Sequence, residues 1–356
     1  MSKIAILGGG NGAHAAAVDL TLRGFDVTIC EDARFAAKMQ KVFDTRTIAY
    51  KGALGMGSVQ IAGVTTDLEE AVNGAEFILV AVPAFAHEAY AQKLATIVNE
   101  DQIVFVLPGT FGSLAFYKAF KAAGKSVVVA ETNTLPYTTR LVGEGEVMVM
   151  SRFALKVGVM PANKTEETMP KLARLYDDLV ATESVIACGL SSLNPIIHVP
   201  GCILNAGRIE YAGQPFFYYT EGFSDCVVRV TEQLDLERCA ILQKFGYWND
   251  IVAHCIGGAI QSDSLKEVIA GDPSFAKIAV PPTFKYRYYT EDIPYGLAIW
   301  SKLAHKIGVA TPIMDCMVTL GGSIMETDCW KNGRSLEELG IAEMDFETIA
   351  KYVING

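Results

Sequence analysis

The segment SSLNPIIHVPGCILNAGRIE, residues 191–210, is largely apolar and reads as helix, yet His198 sits in its middle. Asn194 lies one turn before it and Asn205 two turns after, so an ideal helix puts all three on one face. Imidazole gains and loses a proton near neutral pH and can serve as a general acid or base. The same residues could equally form a hydrogen-bonded polar cluster in a core, and they leave both readings open. Pro195 suits a first helical position, whereas Pro200 interrupts a straight helix, so a shared face requires a modest kink. A second stretch, KYRYYTEDIPYGLAIWSKLAHKIGV (285–309), carries Arg287 and Asp292. Asp292 stands just before Pro294, which suits a helix N-cap; a carboxylate there could also accept an imidazole N–H. Arg287 offers a planar fork that matches a carboxylate.

What could supply a reaction for such a set lies at the other end of the chain. ILGGGNGAHAAA (6–17) contains Gly8-x-Gly10-x-x-Ala13, with Asn11 and Gly12 between. In a dinucleotide fingerprint the first glycine permits the tight turn, the second lets the backbone approach the pyrophosphate, and a small third residue keeps helix and strand close. The pyrophosphate then meets free N–H groups at the helix N-terminus. The pattern follows a strand, KIAIL (3–7), opens a helix, and precedes a second strand, DVTIC (26–30), that ends at Glu31. Glu31 stands where an acid binds the ribose hydroxyls and would repel a 2′-phosphate, which favours NAD. Arg34 could instead attract that phosphate, which keeps NADP as the alternative. Val82 and Pro83, in AVPAFAH (81–87), leave another strand at the end where such sheets bind ligands. His87 reads as a solvent-edge residue of the next helix, and His14 as structural.

The elements that must position these residues fall into two textures. EFILVAV (76–82), IVFVLPG (103–109) and SVVVAET (126–132) are continuous apolar strands alternating with helices, the mark of a parallel sheet covered on both faces. EVMVMSRFALKVGVMP (146–161) reads as strands, Thr165–Ala181 as an amphipathic helix, and SVIACG (184–189) as the last strand. Beyond residue 190 the pattern is helical. The expected fold class is therefore α/β: a Rossmann-type doubly wound parallel sheet over residues 1–187, followed by an all-helical domain over 188–356.

Composition narrows the function classes. The 356 residues carry a formal net charge of −10, which disfavours nucleic acid, since phosphate neutralisation needs clustered Lys and Arg. Eight cysteines are scattered without metal-ligand spacing, so no metal is expected. No signal peptide and no membrane-spanning run is read, which points to a cytoplasmic protein.

These motifs together carry a resemblance over nearly the whole chain. GGGNGAHA, VPAFAH, PGTFG, ETNTLPYTTR (131–140), LNPIIHVPGCILNAGR, GQPFFYYTEG (213–222) and RYYTEDIPYGL make the chain resemble the opine dehydrogenases, the family of octopine dehydrogenase and N-(carboxyethyl)norvaline dehydrogenase. The resemblance implies that His198 and Asp292 form a catalytic pair and that Arg287 contacts a substrate carboxylate. It implies NAD(P)H-dependent reductive condensation of an amino acid with a 2-oxo acid such as pyruvate, by a monomer or homodimer. Asn205 and Arg208 are further substrate-binding candidates, set against buried hydrogen bonding and a surface ion pair. Glu131 could bind a cationic substrate side chain or satisfy loop N–H groups, and Trp248, Tyr218 and Tyr219 could wall the pocket or fill the core.

Two rivals stand beside this reading. Ketopantoate reductases and glycerol-3-phosphate dehydrogenases share the two-domain plan but use a lysine acid, and CGLSSLNPIIHVPGCILNAGR holds no lysine. An NAD(H)-binding sensor would bind cofactor without needing His198, Asp292 or Arg287.

Overall fold

The computed structural model describes residues 2–211 and 216–356. The GQP portion of GQPFFYYTEG lies outside the described residues. The chain divides into two compact units, one running to Ser191 and including Lys351–Gly356, the other covering Ser192–Ala350. The break thus falls four residues beyond the expected 187, and the last six residues group with the first unit.

In the first unit twelve strands form: β1 (Lys3–Leu7), β2 (Asp26–Cys30), β3 (Thr47–Gly52), β4 (Gly57–Gln60), β5 (Gly63–Thr65), β6 (Phe77–Val80), β7 (Ile103–Val106), β8 (Val128–Thr132), β9 (Tyr137–Gly143), β10 (Glu146–Arg152), β11 (Leu155–Met160) and β12 (Leu179–Ala181). Eight of them make one sheet in the order β12-β11-β8-β7-β6-β1-β2-β5. The pairs from β8 through β7, β6, β1 and β2 to β5 are all parallel. Residues of β6 and β7 are buried throughout, as strands sandwiched between helices must be. The order reverses at β1, between β6 and β2, which opens the ligand crevice of doubly wound sheets.

Three expectations need correction. The sheet is not wholly parallel, because β11 pairs antiparallel with β8 and carries β12 with it. SVIACG is a helix, Val185–Leu190, rather than a strand: the Ser184 hydroxyl accepts the Ile186 N–H at 3.2 Å and starts it, and a six-residue apolar run has no periodicity to oppose that cap. The true last strand is β12, which takes the end of the expected helix and leaves only Thr165–Leu172 helical.

A second sheet, β4-β3-β10-β9, escaped the sequence reading apart from the EVMVMSR strand. It packs against helix α1 (Asn11–Leu22). The Tyr137 hydroxyl donates to buried Asp19 on α1 at 2.9 Å, and Leu141 N–H donates to the Asn11 side chain at 2.8 Å.

The second unit is helical, and among its described residues strand pairing is one isolated bridge, Phe217 to Ala279. Its core gathers Trp300, Tyr289, Leu297, Leu303 and Met314, all fully buried. The stretch Val185–Leu204 has the length and mean hydropathy, 1.4, of a membrane span, contrary to expectation. It is 83% buried in the protein and is split into two helices by Ser191–Leu193, which is how core helices behave.

Gly8 sets the turn after β1 with φ +106°, and a Cβ there would lie 2.7 Å from the Ala81 carbonyl oxygen. A side chain must therefore bear both left-handed backbone strain and a clash with backbone. Gly8→Ala is expected to lower unfolding free energy by about 2 kcal/mol, and a denaturant midpoint equal to that of the unchanged protein would refute this.

Candidate active site

At the C-terminal ends of β1, β2 and β6 the first unit builds an anion cradle. Gly10 is the N-cap of α1, no side chain caps that terminus, and no acidic residue occupies the first turn. A Cβ on Gly10 would meet nothing within 4 Å, so the space in front of the free N–H groups is open. These features suit a pyrophosphate. Ala13 is fully buried and keeps α1 close to the sheet, while Asn11 and Gly12 contribute backbone to the first turn. Val82 and Pro83 follow β6, half-buried and exposed.

Glu31 follows β2 and is half-buried, its carboxylate accepting Asp32 N–H at 2.8 Å. Burial pushes its pKa up, partly offset by the N–H groups of Asp32 and Gly9. Arg34 is exposed and spent on Asp32, with Nε and a terminal nitrogen each 2.9 Å from its two oxygens. His14 is buried with Nδ1 3.1 Å from the Gly10 carbonyl oxygen, as a structural residue should be. His87 is also buried, against Phe116, and not at a solvent edge.

The second unit brings His198 and Asp292 together. His198 lies on helix α2 (Asn194–Leu204), which continues through Pro200, and Nδ1 is 2.7 Å from Asp292 Oδ2. Both residues are buried, at 8% and 5% exposure. Asp292 holds the N-cap position of the next helical turn but makes no capping bond there. Its carboxylate turns instead to the imidazole. The turn it precedes, Ile293–Leu297, is π-helical, with Leu297 N–H reaching back to the Asp292 carbonyl at 3.0 Å. Such one-turn widenings occur often at functional sites.

Close packing makes this approach possible. A Cβ on Gly296 would lie 2.6 Å from Pro195 Cγ, so only glycine lets the π turn reach α2. Tyr289, on the single turn α3 (Arg287–Thr290), donates its hydroxyl to the Cys202 carbonyl at 2.9 Å. Tyr218 donates to the His198 carbonyl oxygen. Tyr288 stacks on the imidazole, ring centroids 3.5 Å apart and planes 13° apart. No reading of the sequence assigned Tyr288; its signal was its place between Arg287 and Asp292. Burial lowers the His198 pKa below 6.5, Asp292 raises it in part, and the Arg287 charge lowers it. Arg287 opens α3 with its side chain 44% exposed and Nε 3.6 Å from Glu291; burial works against its charge, and the Asp292 and Glu291 carboxylates favour it.

Three expected substrate contacts have other work. Asn205 terminates α2, its amide donating to the carbonyls of Gly201 at 2.8 Å and Gly222 at 3.0 Å. Arg208 is exposed, paired with Glu221 at 2.8 Å over the Phe216 ring. Glu131 is fully buried and accepts from Phe111 N–H, Ser113 N–H and the Ser113 hydroxyl at 3.0, 3.0 and 2.6 Å. These bonds satisfy the loop before helix Gly112–Ala122, the second of the two roles open to it. Tyr218 and Tyr219 are buried core, whereas Trp248 is 77% exposed.

Residues 181–325 match the family described as NAD/NADP octopine/nopaline dehydrogenase, alpha-helical domain. Residues 3–113 match the NAD-dependent glycerol-3-phosphate dehydrogenase N-terminus, a likeness confined to the nucleotide-binding half. The chain is 32% identical to an opine dehydrogenase of Arthrobacter sp. (strain 1C) over 95% of both chains. It belongs to the opine dehydrogenases.

The fold agrees with a solved octopine dehydrogenase in complex with NADH and agmatine, at TM-score 0.81, 21% identity and 98% of each chain. A yersinopine dehydrogenase with NADP+ bound superposes at TM-score 0.76 and 16% identity, covering 99% of this chain and 98% of its own. As an opine dehydrogenase the protein is an NAD(P)-dependent oxidoreductase acting on CH–NH donors, and its reaction is reductive condensation. The glycine cradle at α1 fits that cofactor.

In this opine dehydrogenase Glu131→Ala is expected to cost about 3 kcal/mol, since it strands two buried backbone N–H groups. Chemical unfolding measures the loss; a variant as stable as the parent would return Glu131 to the list of substrate contacts.

Proposed function

We propose that the protein condenses an amino acid with a 2-oxo acid of the pyruvate type, giving an N-(1-carboxyalkyl) amino acid, with His198 and Asp292 as its acid–base pair. The observation that supports this most is the buried pair at 2.7 Å, made by a carboxylate that leaves the helix-capping bond unmade. Asp292 takes the Nδ1 side of the ring, which leaves Nε2 as the atom that handles substrate protons. The amine of the amino acid attacks the carbonyl carbon of the oxo acid. The carbonyl oxygen takes one proton from the amine and one from Nε2–H and departs as water, leaving an iminium whose nitrogen keeps the second amine proton. Bound NAD(P)H supplies the hydride that reduces the iminium carbon to the secondary amine. In the reverse, oxidative direction the neutral imidazole takes the proton back. Arg287 pairs with the oxo-acid carboxylate, for which its planar fork is suited.

NAD is the preferred cofactor in this reading. The Glu31 carboxylate stands at the ribose end of the cradle, and Asp32 holds the Arg34 guanidinium that a 2′-phosphate would need. Eight free cysteines fit a reducing compartment such as the cytoplasm.

The direct test is the loss of NADH absorbance with pyruvate and a panel of amino acids, against pyruvate alone. Turnover requiring both substrates is expected; oxidation by the oxo acid alone would move the protein among simple 2-oxo-acid reductases. His198→Ala should keep NADH affinity and lose about 100- to 10,000-fold in kcat. A variant that kept its rate would remove His198 from the chemistry.

The pH dependence follows from the partners of His198. Its pKa lies below the ordinary value, so synthesis, which needs the imidazolium, falls as pH rises through it, and oxidation rises over the same window. Asp292→Asn removes a raising charge and should move the kcat/KM inflection down. Arg287→Met removes a lowering one and should move it up. Shifts of one sign in both variants would contradict this arrangement.

A further inference from the structure

The imidazole of His198 has one partner on its edge and another on its face. Asp292 meets Nδ1 at 2.7 Å, while Tyr288 covers a face with its centroid 3.5 Å away and its plane tilted only 13°. Tyr288 is itself held from two sides, by Tyr286 edge-on at 5.1 Å and 85°, and by Tyr218 at 5.8 Å. The adjacent Tyr289 pins the same turn to the Cys202 carbonyl. Tyr288, Tyr289 and Asp292 thus register one short segment against α2, and the ring whose face is offered to the histidine is that of Tyr288.

A phenol ring in that position has an electrostatic preference. Its π face is negative and attracts a cation stacked on it, the more so where water is excluded. A neutral imidazole gains far less from the same contact. The charged groups that act on the His198 ring are the Asp292 carboxylate and the Arg287 guanidinium, while the Tyr218 hydroxyl bonds its backbone carbonyl. Of these only Asp292 favours the protonated ring by charge, and burial and Arg287 oppose it.

We propose that Tyr288 is a positioning residue for the condensation chemistry: its ring fixes the plane of the His198 imidazole and stabilises the imidazolium by a stacked cation–π contact. This rests on the acid–base role proposed for His198, but the contact itself can be measured without turnover. The division of labour is that Asp292 selects the tautomer and Tyr288 sustains the charge of the acid in a site too dry to hold it otherwise.

The test is a graded series at one position. Tyr288→Phe keeps the ring face, and phenylalanines carrying increasing numbers of fluorine atoms, incorporated at position 288, keep the shape while draining the negative face. NMR titration of the His198 ring gives its pKa in each folded protein, and kcat for NADH-dependent condensation is read across pH. The Phe variant is expected to hold the His198 pKa within about 0.3 unit. The most fluorinated ring should lower it by about 0.5 to 1 unit, which lies between an exposed and a fully desolvated cation–π contact. Synthesis at neutral pH should fall about 3- to 10-fold with the oxo-acid KM little changed, and Tyr288→Leu should match or exceed that loss. A His198 pKa indifferent to fluorination overturns the proposal, whatever happens to the rate. A pKa that follows fluorination while His198→Ala stays active upholds the contact and overturns instead the catalytic role of His198.

Discussion

The helical half of the molecule depends on a hydrogen bond between two buried polar side chains. Removing His198 and Asp292 from water is unfavourable unless each finds the other, and at 2.7 Å they do. Much of the surrounding structure can be understood as the means of holding that distance. Gly296 lets the π turn touch Pro195, Tyr289 ties α3 to the end of α2, and Tyr218 closes on the carbonyl of His198 itself. A longer separation would leave a carboxylate buried without a partner, which costs several kcal/mol. The same geometry that makes the pair useful therefore also makes it costly to disturb.

The nucleotide-binding half is organised around an absence of a different kind. The N-terminus of α1 begins at a glycine, without a capping side chain and without a carboxylate in its first turn. Its N–H groups are thus left for an outside anion, and the stability a cap would give is forgone. The helix is compensated along its length instead, by buried alanines against the sheet and by Tyr137 on Asp19.

What could be read in the sequence was whatever local chemistry demands. Gly8, Gly10 and Ala13 announce their turn because few other residues can make it, and β-branched apolar runs such as FILV and IVFV, each closed by a proline-containing turn, suit a covered strand. SVIACG misled because six apolar residues carry no period and the deciding feature was one serine hydroxyl. The second sheet was hidden because β3 and β4 are short and half-exposed, and their partner β10 comes some hundred residues later. At the site, His198, Asp292 and Arg287 were visible as chemistry. Glu131, Asn205 and Arg208 looked equivalent, and only the partners that tertiary structure gives them show that their polar atoms are already committed. Tyr288 could not be told from its neighbours Tyr286 and Tyr289, since the direction in which each ring points is a property of the turn.

The π turn at Ile293–Leu297 carries a consequence for how this chain can vary in length. A π turn holds one residue more than an α-helical turn at the same place. Deleting one residue there would let the backbone relax into a regular helical turn, and the residues after it would keep their facing. Trp300, fully buried, would stay on the core face of helix Ala298–Lys306. What would change is the widened turn itself, which brings Gly296 against Pro195 beside His198 and Asp292. The segment can therefore lose its surplus residue without shifting the register of the core, but not without reshaping the turn that follows Asp292.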